Sequence, residues 1–181
     1  MEQITKEELL DVIGKFELGD NTEVVSVEPY GSGHINDTFR LEVKEDGQEK
    51  LYILQRMNKD IFKNQKELME NILQVTSFLT DKIKAQGGDP NRETLQVIPT
   101  KEGKSYLIEA NGDGWRVYPF ITDSLSFDKA DTPEAMKKSG YAFGNFQYLL
   151  SDFPAEKLHE TIPDFHNTVD RYAKFVPVSY T

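Results

Sequence analysis

Apolar side chains recur at helical spacing in four stretches of this chain and alternate with polar ones in several others. Thr5 and Glu8 have capping-box spacing, and Leu9, Leu10, Ile13 and Phe16 follow at three- and four-residue intervals. This predicts a helix over about 6–16, ending near Gly19. Residues 22–30, 36–44 and 50–56 read as strands, with Phe39, Leu41 and Val43 on one face of the second. The Asp46-Gly47 pair supplies a hairpin signal between the second and third. Leu68, Ile72, Val75, Leu79 and Ile83 stripe a long helix over about 64–85, which Gly87-Gly88-Asp89-Pro90 stops. Strands are predicted over 94–99, 105–110 and 115–118, joined at Lys101–Lys104 and Asn111–Gly114. Thr132 followed by Pro133 starts a helix running to about 151, with Gly140 and Gly144 spaced for close approach of another element. A last helix over about 165–175 carries Phe165, Val169, Tyr172 and Phe175, and the pattern breaks at Val176. A strand-rich lobe followed by helices is an α+β arrangement.

Composition narrows the classes. The chain has 181 residues, 21 basic against 31 acidic, for a net charge of −10. Hydrophobic residues make up 38% and aromatics 11%, enough for a real core. The acidic balance argues against a nucleic-acid partner, since phosphate neutralisation needs clustered lysine and arginine. It leaves room for a nucleotide, which needs one local positive pocket. With no cysteine there are no disulfides, thiolate metal sites or thiol nucleophiles. The polar N-terminus has no apolar signal core and no stretch approaches a membrane span, so a cytoplasmic protein without membrane contact is expected.

Three segments carry candidate chemistry. Tyr30-Gly31-Ser32-Gly33-His34-Ile35-Asn36 joins two strands, and its glycines allow a tight turn whose N–H groups can lie over phosphates. The alternative is an ordinary hairpin loop. Because a strand follows it, the dinucleotide fingerprint is excluded. Strand 50–56 ends in Gln55-Arg56. Alternation lets only one of the two face a nucleotide, and both stay open: Gln55 holds the position a kinase lysine takes, whereas Arg56 is the bidentate cation. Glu67 and Glu70 on the long helix are candidate partners for that group. Trp115-Arg116-Val117-Tyr118-Pro119-Phe120-Ile121 ends a strand, and Tyr118 to Ile121 could floor a base and bond its edge; Pro119 itself has no N–H to donate. His34, His159 and His166 lack metal-ligand spacing, and the latter two are expected at the surface.

Together, Gly31–Phe39, Tyr52–Asn58 and Arg116–Ile121 resemble the aminoglycoside-phosphotransferase-like kinases, nearest to N-acetylhexosamine 1-kinase and its bacterial relatives. Gly140–Phe146 and Ile162–Thr168 are also similar to that group, so the resemblance covers most of residues 20–175. It implies a kinase-like N-lobe over 1–121, an antiparallel sheet plus a long helix, and the first helices of a truncated C-lobe over 122–181. It also implies ATP with Mg²⁺ and phosphoryl transfer to a sugar hydroxyl. The nucleotide contacts it implies are Gly31, Ser32, Gly33, His34, Asn36, Gln55 or Arg56, Glu70, Tyr118, Pro119, Phe120 and Ile121. The family's catalytic His-x-Asp loop has no counterpart: no histidine here is followed by that spacing. The chain by itself is therefore expected to be inactive in transfer, with no catalytic or metal-binding residue of its own. Its uncovered C-lobe helices are expected to self-associate. The rival reading is a non-catalytic binding module, favoured by Gln55 in place of lysine, or an inert fragment.

Overall fold

The computed structural model describes residues 4–31, 33, 35–124 and 129–179. Helix α1, Lys6–Ile13, begins on the expected box: the Glu8 N–H donates to the Thr5 hydroxyl and the Glu8 carboxylate accepts the Thr5 N–H. It ends three residues earlier than the periodicity predicts. Phe16 leaves the helical pattern because it bridges to Thr100 as extended backbone and is fully buried.

Strands β1 (Glu23–Pro29), β2 (Asp37–Glu45) and β3 (Gln48–Met57) form the expected antiparallel meander. Asp46 and Gly47, at φ of 47° and 82°, make the turn between β2 and β3. Helix α2, Gln65–Ala85, is capped by Asn64. A short helix α3, Pro90–Glu93, lies where a simple stop is expected: the Asp89 carboxylate accepts the Asn91 N–H, and Pro90 is pre-set for a first turn. Strand β4 is only Leu107–Ile108, and β5 is Gly114–Pro119. The sheet order is β1-β2-β3-β5-β4, all neighbours antiparallel.

The strand expected over 94–99 is reduced to one bridge, Ile98 to Val117, and that expected over 105–110 to two residues. The free edge of β5 is the reason. It offers one row of partners, and Ile98 and β4 divide that row between them.

Two faces of the sheet differ in kind. Phe39, Leu41, Val43, Tyr52, Leu54, Trp115 and Val117 pack against Leu9, Val12 and Ile13 of α1 as the main core. Each such buried side chain is worth about 1.5–3 kcal/mol relative to exposure. On the other face lie Thr38, Arg40, Ile53, Gln55, Arg116 and Tyr118. Helix α2 covers one end of that face through Gln65 and Met69, both buried.

Helix α4, Pro133–Leu149, starts at Thr132 as expected, with the Ala135 N–H donating to the threonine hydroxyl. It meets α2 through Leu149 and Leu150, which pack on Val75, Leu79 and Ile83. A 3-10 turn, Ala155–Lys157, follows, then α5, Thr168–Ser179. Helix α5 starts at Thr168 rather than 165 because Asn167 caps it, accepting the Asp170 N–H. It runs past Val176, where a break is expected. Pro177 lies in the last turn, where a missing N–H removes one ladder bond without ending the helix at once. The architecture is α+β. No helix among the described residues is long and apolar enough to cross a membrane.

Candidate functional site

Gln55 and Arg116 are directly opposed in the β3–β5 register. The Arg116 Nε and Nη2 groups donate to Gln55 Oε1 at 3.0 and 2.7 Å. Gln55 Nε2 in turn donates to the Thr38 hydroxyl at 2.9 Å. From α2, the Met69 sulfur lies 3.7 Å from Arg116 Nη1. The Arg116 guanidinium stands 5.2 Å from the Tyr118 ring centroid. Burial lowers the Arg116 pKa from its usual value, with the Tyr118 phenol opposing the shift. Burial likewise pushes the Tyr118 phenol up to about 12, against the pull of the Arg116 charge.

Arg56 is on the opposite face of the sheet from Gln55 and Arg116, as strand alternation requires. It donates from Nε and Nη2 to Asp37 at 2.8 and 2.7 Å and from Nη1 to Asp113 at 3.1 Å, and it lies 5.9 Å from the Trp115 ring centroid. Lys59 completes the network at 2.7 Å from Asp113. Burial alone would raise the Asp113 pKa, but Lys59 and Arg56 outweigh it and hold the carboxyl below its ordinary range. Arg56 is thus engaged by two carboxylates and one ring.

Glu70 reaches neither Gln55 nor Arg56. Its carboxylate is 2.9 Å from His159 Nε2 and 3.6 Å from Lys66. Asn71 fixes that histidine's backbone, donating to its carbonyl at 2.8 Å and accepting its N–H at 2.9 Å. The residue that α2 turns toward the pair is Met69. Asn36 is also occupied: its Oδ1 accepts the Asn58 N–H at 2.9 Å, which ties the end of the glycine turn to the end of β3. Within the turn, Gly31 has φ +80° and a Cβ on Gly31 or Gly33 would meet nothing within 4 Å. Ser32 and His34 lie outside the described residues.

The β1–β2 turn and the exit of β5 meet. The Tyr30 and Phe120 rings are edge to face with centroids 5.4 Å apart. The Phe120 N–H donates to the Leu51 carbonyl at 2.9 Å. It is thus spent on the sheet, and of the expected Tyr118–Ile121 backbone the edge pointing away from β3 remains for a ligand. Pro119 is exposed at that edge, as is Ile121 beyond it. A cleft of about 540 Å³ lies here, walled by Tyr52, Pro119 and Phe120, with Arg40 and Lys50 balanced by Glu42 and Glu49.

A larger cleft of about 770 Å³ lies between α1 and the β4–β5 turn, lined by Glu7, Glu8, Asp11, Glu109 and Asp113 around Arg56. Its charge repels phosphate, and its one arginine is already paired twice. Among the described residues, no group of three or more His, Asp or Glu is placed to hold a metal ion.

Sequence reading did not single out Arg116 or Tyr30. Strand alternation groups Arg116 with Tyr118 on one face, which is the available signal, but the opposition to Gln55 spans 61 residues and is invisible to local pattern. No protein-family model matches the chain.

Proposed function

We propose that this chain is the nucleotide-binding portion of an ATP-dependent small-molecule kinase of the aminoglycoside-phosphotransferase type, with a sugar of the N-acetylhexosamine kind as the acceptor class. The supporting observation is the Tyr30–Phe120 contact. It brings the glycine turn and the β5 exit together at one sheet face, the face that carries Gln55 and Arg116. The sheet order, with the long helix α2 between β3 and β4, agrees with a kinase-like N-lobe. In this reading the base sits against Tyr30, Tyr118 and Phe120. The extended edge at Pro119 and Ile121 bonds it, and the turn at Gly31–Gly33 covers the phosphates. Bound Mg²⁺ would neutralise phosphate charge during transfer. Among the described residues no group of three or more His, Asp or Glu is placed to hold it, and the sequence has no His-x-Asp; in this reading the chain binds and orients nucleotide without transferring phosphate.

A second reading is a non-catalytic binding module. It is favoured by the Gln55 carboxamide, which Thr38 and Arg116 already engage. Calorimetric titration with ADP separates the two. The kinase reading predicts a Kd in the millimolar range, about −4 kcal/mol, because an open cleft buries little of the ligand. It also predicts loss of binding in Gly33→Val, whose added side chain meets open space in the free protein. No heat at several millimolar ADP would select the binding module.

A further inference from the structure

Among the described residues Arg116 is the one buried basic side chain, 9% exposed. Its neighbours are neutral: Gln55, Met69 and the Tyr118 ring. No ion pair of the described residues includes it. Arg56, one residue along the opposed strand from Gln55, is held by two carboxylates. The contrast matters because a guanidinium withdrawn from water needs a counter-charge, and dipoles repay only part of its hydration.

Geometry says where the counter-charge would come from. The guanidinium has five N–H bonds, and its contacts with Gln55 and Met69 use three. A hydrogen-bonded row leads from it to the glycine turn. Arg116 donates to Gln55, Gln55 donates to the Thr38 hydroxyl, and the Thr38 carbonyl accepts the Tyr30 N–H at 2.8 Å. Arg116 and the turn therefore belong to one crosswise row of the sheet, and Arg116 lies three residues before Pro119 on the strand that leads to the base-binding edge.

We infer that Arg116 on β5 is the cation that receives the phosphates of the nucleotide, the task that a β3 side chain would otherwise have. Gln55 orients it by holding two N–H bonds, which leaves one N–H on Nη1 and one on Nη2 for the ligand. The ligand class is a nucleoside di- or triphosphate, and the assignment rests on the nucleotide reading above. Arg56 takes no part.

The test is titration of the wild type, Arg116→Met, Arg116→Lys and Arg56→Met with ADP, adenosine and inorganic pyrophosphate, all without metal. Charge-assisted bonds to one arginine should make ADP about 10–100-fold tighter than adenosine in the wild type. Arg116→Met should erase that ratio and leave adenosine binding unchanged. Arg116→Lys, which keeps the charge on a similar frame, should retain part of it, and Arg56→Met all of it. A ratio that survives in Arg116→Met would overturn the assignment. Should Arg116→Met fail to fold, Gln55→Met decides: a lowered ratio supports the orienting role, and an unchanged one overturns it. If the wild type binds neither adenosine nor ADP, the nucleotide reading falls. Pyrophosphate binding weakened by Arg116→Met would then still uphold the anion site, and pyrophosphate that ignores the substitution, or does not bind, would remove it.

Discussion

Gln55 and Arg116 face each other across β3 and β5, joined by two hydrogen bonds of 3.0 and 2.7 Å to one carboxamide oxygen. One strand position along, Arg56 looks the other way and is clamped by Asp37 and Asp113. The two arginines thus have different work, and different losses follow from removing them.

Arg56→Met should cost stability rather than ligand. Arg56 is 13% exposed, and losing it leaves Asp37 without its cation and Asp113 with Lys59 alone; breaking a pair at full burial costs about 3–5 kcal/mol, and this partly exposed network less. Urea unfolding should show the loss at neutral pH. The Asp113 pKa is depressed in the folded state, so its contribution is present above the ordinary aspartate range and disappears as the pH falls through the depressed value. The gap between wild type and Arg56→Met should therefore narrow on acidification. A gap independent of pH would contradict the pairing.

Gly114→Ala should be destabilising because α2 closes on that strand. A Cβ there would lie 1.6 Å from Gln65 Oε1 and 2.8 Å from Met57 Cε. Gln65 is buried, and among the described residues its Oε1 has no partner, while its Nε2 donates to the Gly112 carbonyl at 3.4 Å. Overpacking of this kind costs about 1–3 kcal/mol. Adding Gln65→Ala should restore part of the loss, and a double-mutant cycle measures the coupling. Strict additivity would count against the contact.

The capping signals, the meander and the α2 stripe were all legible, because each depends on residues a few positions apart. Asp89-Pro90 illustrates the limit: the pair that stops α2 also starts α3, and local pattern assigns it one role. The edge of β5 set the length of β4, a competition between Ile98 and Leu107 that no local window contains. Alternation separated Gln55 from Arg56 without saying which of them would meet Arg116. The pairing of Glu70 was not legible, because its partner, His159, arrives from a segment far along the chain.

Alkaline titration should separate the tyrosines. Burial and the Glu45 carboxylate, which accepts the Tyr52 hydroxyl at 2.7 Å, raise the Tyr52 pKa, and burial raises Tyr118 to about 12. A raised folded-state pKa means stability intact below the ordinary tyrosine range and lost as the pH rises toward the raised values. Of the eight tyrosines, these two should ionise only as the protein unfolds. Phenolate absorbance and far-UV circular dichroism, followed together above pH 10, check this. Ionisation of all eight before any loss of ellipticity would refute it.

Helix α4 is exposed along its length up to Leu149, with Met136, Tyr141, Ala142, Phe143 and Phe146 uncovered; Leu149 and Leu150, by contrast, are packed on α2. Val169, Tyr172 and Phe175 on α5 are uncovered as well. Apolar area of this extent drives association, so sedimentation at tens of micromolar should show species heavier than 20.7 kDa. Phe143→Glu with Tyr172→Glu should shift the distribution to monomer. A monomeric wild type at that concentration would refute the association.

The most direct measurement is amide chemical-shift mapping during an ADP titration. The account predicts that perturbed residues gather on one sheet face and its rim: Gly31, Gly33, Thr38, Gln55, Arg116, Phe120 and Ile121. Glu8, Asp11 and Glu109, around the larger acidic cleft, should stay unmoved. Shifts centred on that acidic cleft, or none at several millimolar ADP, would contradict it.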